Sequence, residues 1–317
     1  MISAPEAVDM VNYGAVFLQM LWAMLGIVVF LYKNNLIEDI MSSIDLWAID
    51  SADEETTTKI LKESKFINGY ALLNSTVGFI WAASMIYPNH QEHNDLLWYV
   101  FKLTSFVTSF TMVAHGYQVI YGTQHLKFQM YIFNKFVEEI CQRVIENEAK
   151  VVHDRTYQNE IEFKLKVLIK RHQDFFKWKN HTLALMKNLI MPFSIGGCLV
   201  GMSAAFGFSQ ITENSPRILF IRTMLFTTGA ISTFSGWITA GQALETESDI
   251  IYNRLISTNW YQWTGNNRRI LALILCNSIN QINLKFTDAF AINFRLGMGI
   301  CKTVYTAISV FYNVKEK

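Results

Sequence analysis

The apolar positions of the chain gather into blocks of membrane length, separated by polar segments. A helix rising about 1.5 Å per residue needs roughly 20 mostly apolar residues to cross a hydrocarbon core of about 30 Å. Six blocks meet that length: 13–32, 66–87, 96–121, 183–208, 218–243 and 286–313. Pro88 closes the second and Pro216 precedes the fifth, while the apolar stretch 270–275 is too short to cross. The segment before the first block carries Glu6 and Asp9 but no Lys or Arg, so 13–32 reads as a true span and not a signal peptide.

The basic residues divide the chain at the same points. Residues 1–12, 88–95 and 209–216 hold no Lys or Arg, whereas 33–65 hold four, 122–182 eleven and 244–269 three. Cytoplasmic loops carry the excess of basic charge. The alternation therefore predicts that 33–65, 122–182 and 244–285 are cytoplasmic and that the C-terminus is extracellular. Lys315 and Lys317 are a small exception to it.

Within 122–182 the pattern changes character. Leu126, Met130, Phe133, Val137, Ile140 and Val144 step by four and three, as do Ile161, Leu165, Leu168, His172 and Phe175. Such stripes must bury against other helices, on extensions of the third and fourth spans below the membrane. An intrachain helical hairpin and a cytoplasmic oligomerisation module would both satisfy them. The predicted class is an all-α, polytopic membrane bundle with long cytoplasmic helix extensions.

Composition supports this class. Charged residues are 17% of the 317, against roughly 25% in soluble domains, and aromatics reach 14% with 23 Phe. A net charge of +1 gives no case for a nucleic-acid partner. The four cysteines, Cys141, Cys198, Cys276 and Cys301, lack metal-ligand spacing. His90 and His93 sit in a short connector with no third ligand, and no nucleophile elbow is visible. Neither a metal, a cofactor nor an enzymatic activity is expected.

Two features suggest ligand and ion handling. Asp288, Arg295, Lys302 and Ser309 recur every seven residues, so one helix from 286 would carry them as a polar stripe. Ionisable groups at membrane depth usually face a bundle interior or water, and the uncharged outer end of this helix could gate by dewetting. Tyr13, Phe17, Phe79, Trp81, Phe106 and Phe226 crowd the outer halves of several spans, among Ser75, Gly78 and Ala82. A cluster of that kind is packing, interface anchoring, or the lining of an apolar pocket for a small volatile molecule.

Gly241-Gln242, Glu247-Ser248, Asn259-Trp260-Tyr261, Arg268-Arg269 and the 286–311 segment together resemble the C-terminal signature of insect odorant receptors. Leu165–His172 resembles that family's approach to its fifth helix. The resemblance implies an odorant-gated, non-selective cation channel in the plasma membrane of sensory neuron dendrites. Its subunits form a heterotetramer with a shared coreceptor. Residues 1–121 would then be ligand-binding helices, 122–182 and 244–285 a cytoplasmic anchor, 183–243 two further spans, and 286–317 the pore-lining helix.

The long cytoplasmic insertion of the coreceptor is missing, so the chain resembles a tuning subunit. By register on Tyr305 the resemblance places the outer gate at Ile308 and Tyr312, beside Phe311. It assigns ligand contact to Ser75 and Gly78, and more loosely to Tyr13, Val16 and Phe17; Phe79, Ala82, Phe106 and Phe226 join them from the aromatic cluster. Two departures stand out: the family's usual first helix is missing, and Val304 replaces the usual Ser before Tyr305. A gustatory receptor would show a Gln after Tyr305 on the final helix, and none is there. A solute transporter would show an internal repeat and broken spans. A non-conducting subunit is the remaining alternative.

Overall fold

The computed structural model describes residues 53–84, 96–142, 154–181, 217–287 and 290–315, with Met24 and Val28 on a further helix. Helix α1 (Glu54–Ser84) and helix α2 (Leu96–Gln142) run for 31 and 47 residues. Helix α3 covers 155–181, and α4 (Arg217–Ile256) runs for 40 residues. A single 3-10 turn (Trp260–Gln262) leads into α5 (Gly265–Ser278). A small hairpin, β1 (Lys285–Thr287) with β2 (Phe290–Ala291), then precedes α6 (Phe294–Lys315).

Local chemistry sets these boundaries. Glu54 and Glu55 place negative charge at the positive end of α1. Asp154 caps α3, its Oδ1 accepting from the Thr156 amide at 2.9 Å. Thr264 caps α5 in the same manner, through the Asn267 amide. Predicted spans three and five fall inside longer helices, as do residues 66–84 of span two; no Pro stands at their inner ends, and the helices run on through Gly69, Gly122 and Gly241. The first span lies outside the described residues apart from Met24 and Val28, and the fourth lies wholly outside them.

The last helix departs from expectation. It starts at Phe294, not near 286, because β1 and β2 pair antiparallel, Lys285 with Ala291 and Thr287 with Phe290. Asn293 then caps α6, its Oδ1 accepting from the Leu296 amide at 3.1 Å. The Gln242 side chain also accepts from the Phe294 amide at 3.1 Å. Asp288 therefore precedes the helix, and the seven-residue stripe on α6 is Arg295, Lys302 and Ser309.

Helices α1, α2 and α4 pack pairwise, with α5 and α6 against α4. The main core lies at one end, where Leu126, Met130, Phe133, Val137 and Ile140 of α2 meet Ile161, Leu165, Leu168 and Phe175 of α3. Leu244, Ile251 and Leu255 of α4, Trp263, and Ile274 of α5 close it. Every described member of the two stripes is buried, and within this one chain; Val144 lies outside the described residues. The intrachain hairpin is thus the form that their burial takes.

Among the described residues no helix is long and apolar enough to cross a membrane. Length is not the limit. Polar side chains interrupt the apolar runs, and several of them bond across the bundle. The Asn74 amide donates to Thr233 Oγ1 at 2.8 Å, the Tyr70 hydroxyl donates to the Ser232 carbonyl, and Arg222 donates to the Ser84 carbonyl. Paired in this way, the groups are satisfied without water.

Candidate functional site

At the end of α1 away from the core, Trp81 meets Phe226 of α4 with ring centroids 5.3 Å apart and planes at 41°. Trp81 is buried and its neighbour Ala82 is fully buried. Arg222, one turn before Phe226 and 6% exposed, donates from Nε and Nη2 to the Ser84 carbonyl at 3.0 and 2.6 Å. It thereby satisfies the C-terminus of α1, where carbonyls lack helical partners. Ser84 Oγ in turn donates to the Trp81 carbonyl at 2.6 Å. The result is an aromatic pair held beside a buried guanidinium and the Ser84 hydroxyl.

Of the sequence candidates, Ser75 and Gly78 are half-buried on α1, Phe106 on α2 and Phe226 on α4. Phe79 is 51% exposed and shares an outward stripe with Phe66, Leu72, Leu73 and Ile80. Tyr13, Val16 and Phe17 lie outside the described residues, as do His90 and His93. Sequence reading missed Tyr70, Asn74 and Arg222. Their signal was a polar residue inside an apolar block.

On α6, Tyr305 is 73% exposed, and Ile308, Phe311 and Tyr312 follow it along the helix. Phe294, Arg295, Met298, Lys302 and Tyr305 form one exposed face that no other described residue covers. The opposite face is seated closely. Gly297 brings the backbone within 3.2 Å, at its Cβ position, of Ile238 Cγ2, and a Cβ on Gly241 would stand 2.1 Å from the Ile292 carbonyl oxygen. Arg295 and Lys302 thus lie exposed while small residues fix the helix from behind.

The signature residues prove to be joints. Gly241 and Gln242 seat the start of α6, and Ser248 Oγ accepts from the Ile282 amide at 3.0 Å. Arg268 donates to the carbonyls of Trp263 and Tyr261, which locks the 259–263 turn. Buried Gln158 of α3 clamps the same turn, donating to the Gln262 carbonyl at 2.9 Å and accepting from the Thr264 amide at 2.9 Å.

No family model matches the sequence, and no curated protein matches it. Solved structures do. The insect olfactory receptor OR5 of Machilis hrabei superimposes with a TM-score of 0.68 at 9% identity, covering 96% of this chain and 81% of that one. The same receptor in complex with eugenol gives a TM-score of 0.63 at 10% identity over the same shares. The chain has the insect olfactory receptor fold. Within this fold the joints above tie α6 to α4.

The core contains a buried histidine hydrogen-bonded to a serine. His172 Nε2 lies 3.2 Å from Ser278 Oγ, which itself donates to the Ile274 carbonyl at 2.8 Å. The imidazole must therefore donate, and it is walled by Phe176 at 5.0 Å and Phe133 at 6.4 Å. Burial pushes its pKa down to about 4. The unfolded chain then binds the proton first. Stability is expected to be full above about pH 6.5 and to fall as pH drops toward 4, by about 3 kcal/mol in all. Thermal unfolding across that range should show the loss, and His172→Leu should flatten it.

Proposed function

We propose that the chain is a ligand-tuning subunit of an odorant-gated, non-selective cation channel, opening a pore together with coreceptor subunits in a tetramer. It works in the plasma membrane of sensory neuron dendrites, with its C-terminus outside, and is no enzyme. The observation that carries this reading is the olfactory receptor fold across 96% of the chain. The ligand is a small, mostly apolar volatile, held without covalent chemistry near Trp81 and Phe226, with Ser75, Gly78, Ala82 and Phe106 as further contacts. Phe79, Tyr13, Val16 and Phe17 are candidates on the same outer half. Residues 122–182 and 244–285 anchor the subunit in the cytoplasm.

The face of α6 that the described residues leave open supports a place on the assembly axis, since exposed Arg295 and Lys302 gain water there. Ile308 and Tyr312, with Tyr305 and Phe311 on the same helix, form the outer barrier by excluding water from a narrow ring. Coexpression with a coreceptor and exposure to an odorant panel tests the function directly, by odorant-evoked cation current. In that preparation Ile308→Ser should hydrate the barrier and raise basal current. Well-expressed channels with unchanged basal current, gating and permeation would remove α6 from the pore.

A further inference from the structure

Beside the apolar stripe of α2 runs a second one. Lys127, Tyr131, Asn134 and Glu138 step by four, three and four, one position out of phase with Leu126, Met130, Phe133 and Val137. This polar seam meets α1 and α4. Glu63 of α1 accepts from Lys127 Nζ at 2.8 Å and from the Tyr131 hydroxyl at 2.8 Å. Lys59 of α1 stands 3.7 Å over the Tyr131 ring. Arg254 of α4 donates to the Asn134 carbonyl at 2.9 Å and to Glu138 at 3.3 Å. Lys135 pairs with Asp53 at 3.4 Å, which ties in the first residue before α1.

Glu247 of α4 sits among these groups and is 8% exposed. The cations around it are already engaged: Lys127 with Glu63, Arg254 with Glu138, and Lys59 with the Tyr131 ring. Its hydrogen-bond partner among the described residues is the neutral Asn134 amide, at 3.3 Å. A carboxylate withdrawn from water with one neutral donor is disfavoured against its protonated form.

We propose that the docking of α1 onto α2 and α4 is coupled to a proton on Glu247, the joint closing when this carboxyl is neutral and parting when it ionises. Lys59 and Glu63 belong to α1, so lifting α1 opens the wall over Glu247 to water. Burial raises the Glu247 pKa, Lys59 and Lys127 oppose the rise, Glu63 adds to it, and Arg254 opposes it. The sign follows by linkage. A raised value in the closed joint means that acid favours closure and alkali favours release.

The test uses the full chain in nanodiscs and does not depend on whether it conducts. Amide exchange of residues 57–66 is followed from about pH 4.5, near the ordinary carboxyl value, to about pH 8 and divided by the intrinsic rate at each pH. Protection should fall as pH rises above the ordinary carboxyl value, by at most about tenfold per pH unit for coupling to one proton, and level off once pH passes the raised value of Glu247. Amides of 265–278, in the core, should not follow it. Glu247→Gln, which mimics the neutral acid and keeps an acceptor for Asn134, should be protected and flat across the range. Asn134→Asp, which sets a second acid beside Glu247, should move the fall to higher pH. Glu63→Gln should lower protection at every pH and keep the slope. A flat wild-type profile overturns the proposal, as does a slope that survives Glu247→Gln or that vanishes with Glu63→Gln. Should Glu247→Gln not fold, an unshifted Asn134→Asp profile overturns it alone.

Discussion

Gly241→Ala is expected to detach α6 from α4. The new Cβ would stand 2.1 Å from the Ile292 carbonyl oxygen and 2.9 Å from its carbon, both backbone atoms that no rotamer change can clear. Ile292 is buried, and its amide is held by the Leu284 carbonyl at 2.8 Å, so the hairpin cannot simply slide away. Overpacking of this kind costs about 3 kcal/mol or more where backbone has to move. Gly229→Ala is the control on the same helix, because its Cβ would meet Val77 Cγ1 at an ordinary 3.7 Å. Replacing a mid-helix Gly by Ala there should be neutral or stabilise by up to about 1 kcal/mol. Thermal unfolding and surface expression of the two variants check the contrast; equal behaviour would mean that the α4–α6 joint yields.

The second large effect belongs to the core. Phe133 is fully buried, edge-on to Phe175 at 5.4 Å and near His172. Phe133→Ala should cost about 3–5 kcal/mol, the sum of lost transfer energy and a cavity among side chains from α2 and α3. Phe163→Ala, on the solvent side of α3 at 68% exposure, should change stability by no more than about 0.5 kcal/mol. Chemical unfolding of the two variants separates them. A small loss at Phe133 would mean that the core collapses around the gap.

The core was legible in the sequence because burial there follows the helical period: Leu126 to Ile140 and Ile161 to Phe175 announce themselves by spacing. The seam beside it has the same spacing, yet nothing in Lys127, Asn134 and Glu138 distinguishes it from a solvated face, since charge alone does not say what covers it. The start of α6 misled for a related reason. Apolar residues from 286 onward imitate a helix, while the signal that decides is the cap at Asn293 and the close approach at Gly241. In the candidate site, Trp81 and Phe226 were visible as aromatics, but their contact was not. Neither was the reach of Arg222 to Ser84, because pairing between distant helices leaves no local period.

One continuous helix joins the candidate site to the core. Between Phe226, against Trp81, and Leu244, deep in the core, α4 has no break. Each residue of such a helix turns its successor by about 100°. Adding or deleting one residue anywhere between these positions would therefore swing Phe226 away from α1 or Leu244 out of the core. The number of residues between them is fixed as firmly as their identity, and length variation in chains of this fold has to fall elsewhere.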